Sequence, residues 1–126
     1  MSDRFHTCKI LIIDGDEGRG TGIQWALKDL GYAAHVATNA EAAIIDGAHF
    51  RPNVVLLDVG PPLTNGYALC KRLRKETVLK DAVFIAQTGW DNNERLLPTA
   101  VHKVDYHLLK PFKIDELVGL IEKLDL

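Results

Sequence analysis

Short apolar runs alternate along this chain with segments in which apolar residues recur every three or four positions. The apolar runs predict five β-strands, over residues 8–14, 33–38, 53–58, 82–88 and 105–110. The first, third and fourth runs are almost continuously apolar, which is typical of strands buried on both faces. The helical spacing predicts helices around 23–30, over 40–48, 66–76 and 92–102, and around 117–124. Such βα units predict an α/β fold with an open parallel sheet and helices on both of its faces.

Capping residues predict where several of these helices begin and end. Asn39 and Asn65 are predicted N-caps, and Gly31 is predicted to end the first helix. Pro98 lies inside the fourth helix, where proline removes a backbone hydrogen bond at a cost of about 3 kcal/mol or more. We therefore expect the fourth helix to be short, kinked or shifted.

Composition and charge narrow the class of protein. With 126 residues, 47% of them hydrophobic, residues 1–126 are expected to form one domain with a single core. The net charge is −2 and no basic stripe is present, so neither nucleic acid nor a membrane surface is expected as a partner. No apolar run predicts a membrane span or a signal peptide, so the expected location is the cytoplasm. Cys8 and Cys70 show no metal-site spacing and are expected to be buried.

Polar residues follow the predicted strands at the edge where ligands bind to open parallel sheets. They are Asp14 and Asp16, Asp58, Thr88 and Lys110. Two carboxylates about 4 Å apart repel by on the order of 4 kcal/mol at an effective dielectric constant near 20, so a cation or a lysine must offset the repulsion. Oxygen ligands in a solvent-accessible pocket suit Mg2+, which also binds phosphate oxygens. The pattern favours phosphoryl chemistry.

Three segments in order along the chain resemble the receiver domains of response regulators in two-component signalling. They are LLDVGPPLTNGYALCKRLR, FIAQTGW and DYHLLKPF, and the resemblance covers essentially the whole chain. The sequences of these segments are especially similar to those of receivers attached to hybrid sensor histidine kinases. The resemblance implies the flavodoxin-like (βα)5 fold with a doubly wound parallel sheet of five strands.

The resemblance also implies roles for the residues at the strand ends. Asp58 would accept a phosphoryl group from a histidine kinase or a phosphotransfer protein, with Lys110 neutralising charge and Thr88 donating its hydroxyl. The backbone amide of Gly89 would add a further donor. The domain would catalyse only its own phosphorylation and dephosphorylation, and would then switch a face that binds an unknown downstream protein.

The resemblance implies Mg2+ as a cofactor, but the segment KILIIDGDEGRG departs from the family pattern. Receivers usually end their first strand with two adjacent acids, and here Asp14 is followed by Gly15. The implied metal ligands are therefore Asp14, Asp58 and the backbone carbonyl of Gly60, with Asp16 compensating for the missing acid. Because losing even an outer partner typically weakens metal binding about 10 to 100-fold, Mg2+ binding is expected to be weak unless Asp16 replaces that ligand.

The glycines of this segment, with Gly22 just after it, bear on two further readings. Gly18, Gly20 and Gly22 fall where the first helix should begin, and each costs roughly 0.5 to 1 kcal/mol relative to alanine inside a helix, so a longer and looser loop is expected. A glycine-rich nucleotide cradle is not favoured, since Ile23 stands where its last glycine would be.

Switch residues are implied near the end of the chain. They are Thr88, His107 and Tyr106, although packing explains His107 about as well as switching does. Trp90 is either a shield for the phosphoryl group or a surface aromatic. Lys110–Pro111 is expected to be a cis peptide by analogy with the family.

Two alternative functions stay open. The first is a degenerate receiver that binds a partner without phosphorylation, which Gly15 favours. The second is a phosphatase of the haloacid-dehalogenase type, with Asp14 as nucleophile and Asp16 as proton donor, because IIDGDEG resembles the first motif of that family. Since no DNA-binding helix-turn-helix is expected after the last helix, output is expected to occur through protein contacts.

Overall fold

The computed structural model describes residues 8–58, 66–88 and 104–124. The strands in these ranges are β1 Lys9–Ile13, β2 Ala33–Ala37, β3 Val54–Asp58, β4 Val83–Thr88 and β5 Tyr106–Leu109. The helices are α1 Glu17–Asp29, α2 Ala40–Phe50, α3 Gly66–Arg74 and α4 Ile114–Lys123. The five predicted strands and the helices predicted around these four positions are thus confirmed. The helix predicted over 92–102, with Pro98, and the cap at Asn65 lie outside the described residues.

The five strands form one parallel sheet in the order β2-β1-β3-β4-β5. The first connection runs to one side of β1 and the later ones run to the other, so β1 and β3 are central. This order is that of flavodoxin-like folds, in which ligands bind at the carboxyl edge beside the point where the strand order reverses. The predicted α/β fold is therefore confirmed.

The core lies on both faces of the sheet, because alternate residues of the central strands point to opposite sides. Leu11 and Val55 belong to one buried cluster, and Ile12 and Leu56 belong to the other. This arrangement explains why β1 and β3 are almost continuously apolar. The two cysteines are buried as predicted, Cys70 in the first cluster and Cys8 in the second.

The prediction of a longer, looser loop before α1 was wrong. The helix begins at Glu17, directly after its N-cap Asp16, whose carboxylate accepts a hydrogen bond from the backbone N–H of Arg19 at 3.1 Å. This cap stabilises the glycine-containing first turn, since it satisfies a donor that has no partner within the helix. Gly20 also allows close packing, because a Cβ there would lie 3.0 Å from Cγ1 of Val36 on β2.

Two other predicted helix boundaries are confirmed. Asn39 caps α2 by accepting a hydrogen bond from the backbone N–H of Ala42 at 2.8 Å. Gly31 follows α1 with a φ of 98°, a left-handed conformation that glycine adopts without steric cost. No helix in the described part of the chain is long and apolar enough to cross a membrane.

Candidate functional site

Two buried carboxylates lie side by side at the carboxyl edge of the sheet. Asp14 directly follows β1, and Asp58 is the last residue of β3. Because Ile13 pairs with Leu57 in the parallel register, the two acids come next to each other. Their exposed fractions are 0% and 1%, so both charges need partners within the protein.

Arg19 on α1 joins the two carboxylates. Its Nη2 lies 2.9 Å from Oδ1 of Asp14 and 2.8 Å from Oδ2 of Asp58, and its Nε lies 3.0 Å from Oδ2 of Asp14. The pair with Asp14 is therefore bidentate, the geometry in which arginine binds carboxylates most strongly. The hydrogen bond to Asp14 raises the pKa of Arg19, so the guanidinium keeps its charge.

Lys110 supplies a second cation to Asp58. Its Nζ lies 3.0 Å from Oδ1 and 3.1 Å from Oδ2 of that carboxylate. Asp58 is thus held between the ammonium of Lys110 and the guanidinium of Arg19. Two carboxylates and two cations leave the centre of this site close to neutral, which offsets the repulsion between Asp14 and Asp58.

Asp16 lies apart from this ion cluster. Its side chain is 53% exposed and caps α1, while its backbone N–H donates to Oδ1 of Asp14 at 2.8 Å. Its nearest approach to the guanidinium of Arg19 is 3.9 Å, from Oδ2 to Nη1. Asp16 thus supports Asp14 through its backbone and α1 through its carboxylate.

Thr88, the last residue of β4, carries a buried hydroxyl. Its exposed fraction is 0%, and its Oγ1 has no hydrogen-bond partner among the described residues. Its backbone carbonyl accepts from the N–H of Lys110 at 2.6 Å, which joins the ends of β4 and β5. A buried hydroxyl without a partner costs about 1 to 3 kcal/mol, so its retention here points to a ligand oxygen that it can bind.

A cavity of about 670 Å³ opens beside the ion cluster. Arg19 and Lys110 both line it, together with Gly18 and Gly22 of α1 and Phe112 beyond β5. A Cβ at Gly22 would meet nothing within 4 Å, so the glycines of α1 leave this wall open. Both residues that supply a cation to Asp58 therefore also line this cavity.

The sequence profile of the response regulator receiver domain matches residues 10–122. The chain belongs to this family. Receiver domains act in two-component signalling, where they interact with histidine kinases and effectors, and they typically bind Mg2+.

Relatives of known name agree with this assignment. A probable transcriptional regulator, ycf27, of Porphyra purpurea is 32% identical over 90% of this chain and 45% of its own length. The alkaline phosphatase synthesis regulatory protein PhoP of Bacillus subtilis is 28% identical over 86% of this chain and 45% of its own length. The receiver thus spans about half the length of these curated relatives.

Solved structures show the same fold. The chemotaxis protein CheY4 of Vibrio cholerae superposes with a TM-score of 0.83 at 22% identity, covering 92% of this chain and 97% of CheY4. A signal receiver domain of Bermanella marisrubri superposes with a TM-score of 0.80 at 28% identity, covering 92% and 96% of the two chains. The chain therefore has the fold of these receiver domains.

The acids of this receiver do not fit a divalent cation in the arrangement observed. The guanidinium of Arg19 lies between the carboxylates of Asp14 and Asp58, and Gly15 contributes no acid. Within residues 8–58, 66–88 and 104–124, no group of three or more His, Cys, Asp or Glu residues is placed to hold a metal ion. The fourth expected ligand, the carbonyl of Gly60, lies outside the described residues.

Arg19 is the residue that sequence reasoning missed. The signal was present: a basic residue occurs at the third position after the helix cap, at the edge where the receiver pattern loses an acid. The missing acid at Gly15 and the presence of Arg19 both make the net charge of the site less negative. Arg19 and Asp58 are 39 residues apart, however, so only the packing of α1 against the sheet brings them together.

The switch region of the receiver is described in part. Tyr106 is 40% exposed, His107 is partly buried, and the Lys110–Pro111 peptide is cis as expected. Gly89 and Trp90 lie outside the described residues. A switching role for Thr88, Tyr106 and His107 stays a prediction.

Proposed function

We propose that this receiver is a phosphoacceptor whose Asp58 takes a phosphoryl group from a histidine kinase or a phosphotransfer protein. The observation that carries the proposal is a carboxylate held by Lys110 at 3.0 Å, at the same strand edge as Thr88, whose buried hydroxyl has no partner among the described residues. A nucleophile, a cation and a hydroxyl donor are the parts that phosphoryl transfer to a carboxylate requires.

The transfer follows from these groups. One carboxylate oxygen of Asp58 attacks the phosphorus, the O–P bond forms, the P–N bond to the donor histidine breaks, and its electron pair returns to the imidazole. Lys110 neutralises charge on the equatorial oxygens. Thr88 donates its hydroxyl to one of them and so gains a partner that it lacks among the described residues.

This gain for Thr88 supplies the signal. A contact that exists only after phosphorylation shifts the receiver between two conformations, and a face beside β5 then binds a downstream protein. Residues 1–126 act as a single receiver domain in this proposal. The proposed location is the cytoplasm, where ATP charges the donor histidine.

Asp14 is poorly placed for the phosphatase alternative. Its oxygens bind the guanidinium of Arg19 and the backbone N–H of Asp16, and it is fully buried. The family match assigns the chain to receiver domains and not to phosphatases of that type. We do not propose that activity.

A degenerate, phosphorylation-independent receiver is the second candidate. It is favoured by the pairing of Asp58 with two cations and by its exposed fraction of 1%. Such a domain would bind its partner through its surface with Asp58 unmodified.

Intact-mass measurement after incubation with acetyl phosphate decides between the two candidates. We expect one phosphoryl adduct on the wild-type protein, its loss in Asp58→Asn, and its retention in Asp14→Asn at a lower level. The incubation is run with Mg2+ and, separately, with EDTA. No adduct under either condition, with acetyl phosphate or with a phosphorylated histidine donor, would establish the degenerate receiver.

A further inference from the structure

We propose that Arg19 takes the place of the divalent cation in this receiver, so that phosphoryl transfer to Asp58 proceeds without metal. The inference rests on the proposed function, because it concerns the same transfer. It departs from the Mg2+ dependence that receivers typically show.

The guanidinium is fixed at the point where a cation would have to act. Three hydrogen bonds of 2.8 to 3.0 Å join it to Asp14 and Asp58, and the one to Asp58 reaches the nucleophilic carboxylate itself. Asp14 is in turn held by the backbone N–H of Asp16 at 2.8 Å. The helix cap, the first acid and the arginine therefore form one preorganised unit.

The charges of the site leave little reason for Mg2+ to bind. Asp14 and Asp58 are already balanced by Arg19 and Lys110, and Mg2+ prefers six oxygen ligands in octahedral geometry. Guanidinium nitrogens are donors and cannot be ligands. A bound Mg2+ would have to displace Arg19 from both carboxylates, without an acid at position 15 to hold it.

The guanidinium can neutralise charge on the phosphoryl oxygens, as Mg2+ does in other receivers. Its planar set of donors matches phosphate oxygens, and arginines neutralise charge on transferring phosphoryl groups in other enzymes. Nη1 of Arg19 lies 3.9 Å from Oδ2 of Asp16, beyond hydrogen-bonding distance, and Arg19 lines the cavity described above. Nη1 is thus the donor that would meet an incoming phosphoryl oxygen.

Labelling with acetyl phosphate in EDTA and in Mg2+ tests the inference. We expect the wild-type rate to be the same in both, within about twofold, and Arg19→Ala to label about 100-fold more slowly in EDTA, as when one transition-state donor is removed. Arg19→Lys keeps the charge but loses the bidentate geometry, so its labelling rate in EDTA should lie between those of wild type and Arg19→Ala. Arg72→Ala, which removes an exposed arginine of α3, is the matched control and should label like wild type.

A double variant tests the converse. Gly15→Asp combined with Arg19→Ala rebuilds the two adjacent acids of other receivers, so it should label only with Mg2+ and should bind Mg2+ in titration calorimetry. The wild-type protein should give no such heat. This calorimetric readout does not depend on phosphorylation.

The outcomes separate this inference from the proposed function. Wild-type labelling that is abolished by EDTA, or that is unchanged in Arg19→Ala, would overturn the role of Arg19 and leave Asp58 as the phosphoacceptor. Failure of every variant to label, including the double variant with Mg2+, would overturn both.

Discussion

Two arginines form ion pairs at opposite edges of the sheet, and their partners differ in kind. Arg74, at the end of α3, donates to the carbonyl oxygens of Lys80 and Ala82 at 3.0 and 2.7 Å and to Asp105 at 2.6 Å. Its guanidinium also stacks on the ring of Phe84, with Cζ 4.1 Å from the ring centre. These contacts join α3 to the amino ends of β4 and β5.

Arg19, at the carboxyl edge, bonds through its side chain to carboxylates. Within the described ranges its guanidinium bonds to no backbone carbonyl, and Arg19 lines a cavity. The same strand edge carries Thr88, whose hydroxyl has no partner among the described residues. The difference teaches how to read a charged cluster: bonds to the backbone indicate a structural role, whereas paired ionisable groups around an unsatisfied donor indicate a site. The following predictions test that distinction.

Replacing Arg74 should have the largest effect on stability. Arg74→Met keeps apolar contact with Phe84 but removes the donor to two carbonyls and the cation beside Asp105, which keeps the N–H of Phe84 as a donor. We therefore expect a loss of about 2 to 3 kcal/mol in the free energy of unfolding. Arg74→Lys, which retains the charge, should lose less. Urea denaturation measures both. A loss in Arg74→Met below about 0.5 kcal/mol would mean that the amino-edge cluster is not structural.

Cys70, one turn before Arg74, should make stability fall at alkaline pH. Burial raises the pKa of its thiol from 9.0 to about 12, so the folded protein holds the proton that the unfolded chain releases. This contribution is present below pH 9 and is lost as the pH rises from 9 towards 12. By pH 10.5 we expect wild type to lose roughly 1 to 2 kcal/mol more than Cys70→Ala does, relative to pH 8.

Urea denaturation of both proteins at pH 8 and pH 10.5 measures this difference. Lysines and tyrosines titrate in both proteins, so their contribution cancels in the comparison. Equal losses would show that the Cys70 thiol ionises as readily in the folded protein as in the unfolded chain.

Replacing Thr88 should have the smallest effect on stability, and in the opposite direction from Arg74. Thr88→Val removes a buried hydroxyl that has no partner among the described residues, so we expect a gain of about 1 kcal/mol in the free energy of unfolding. Thr88→Ser retains the hydroxyl and is the matched control. Destabilisation by Thr88→Val would show that this hydroxyl has a structural partner, and the contrast between the two edges would fail.

The sequence predicted the strands because the central strands are apolar on both faces, which leaves a signal in all residues of β1 except Lys9 and in all of β3 except Asp58. The strand ends then placed Asp14, Asp58, Thr88 and Lys110 at one edge, since parallel strands end together. The glycines of α1, in contrast, led to the wrong prediction of a long loop before the helix. Helix propensity is a weak local preference, and the cap at Asp16 and the packing of Gly20 on Val36 outweigh it.

The chain alone thus determined the order of elements and the sheet edge that carries the candidate site, because both depend on periodicity or on position within one strand. Its resemblance to receivers indicated Asp58 as the phosphoacceptor candidate. Only the tertiary structure showed that Arg19 binds Asp58 as a second cation beside Lys110. The bond from Arg19 to Asp58 depends on where α1 crosses the sheet, and the charge of a side chain in a sequence does not state which carboxylate it will reach. The sequence shows that position 15 lacks an acid, and only the folded protein shows that Arg19 lies at the same site.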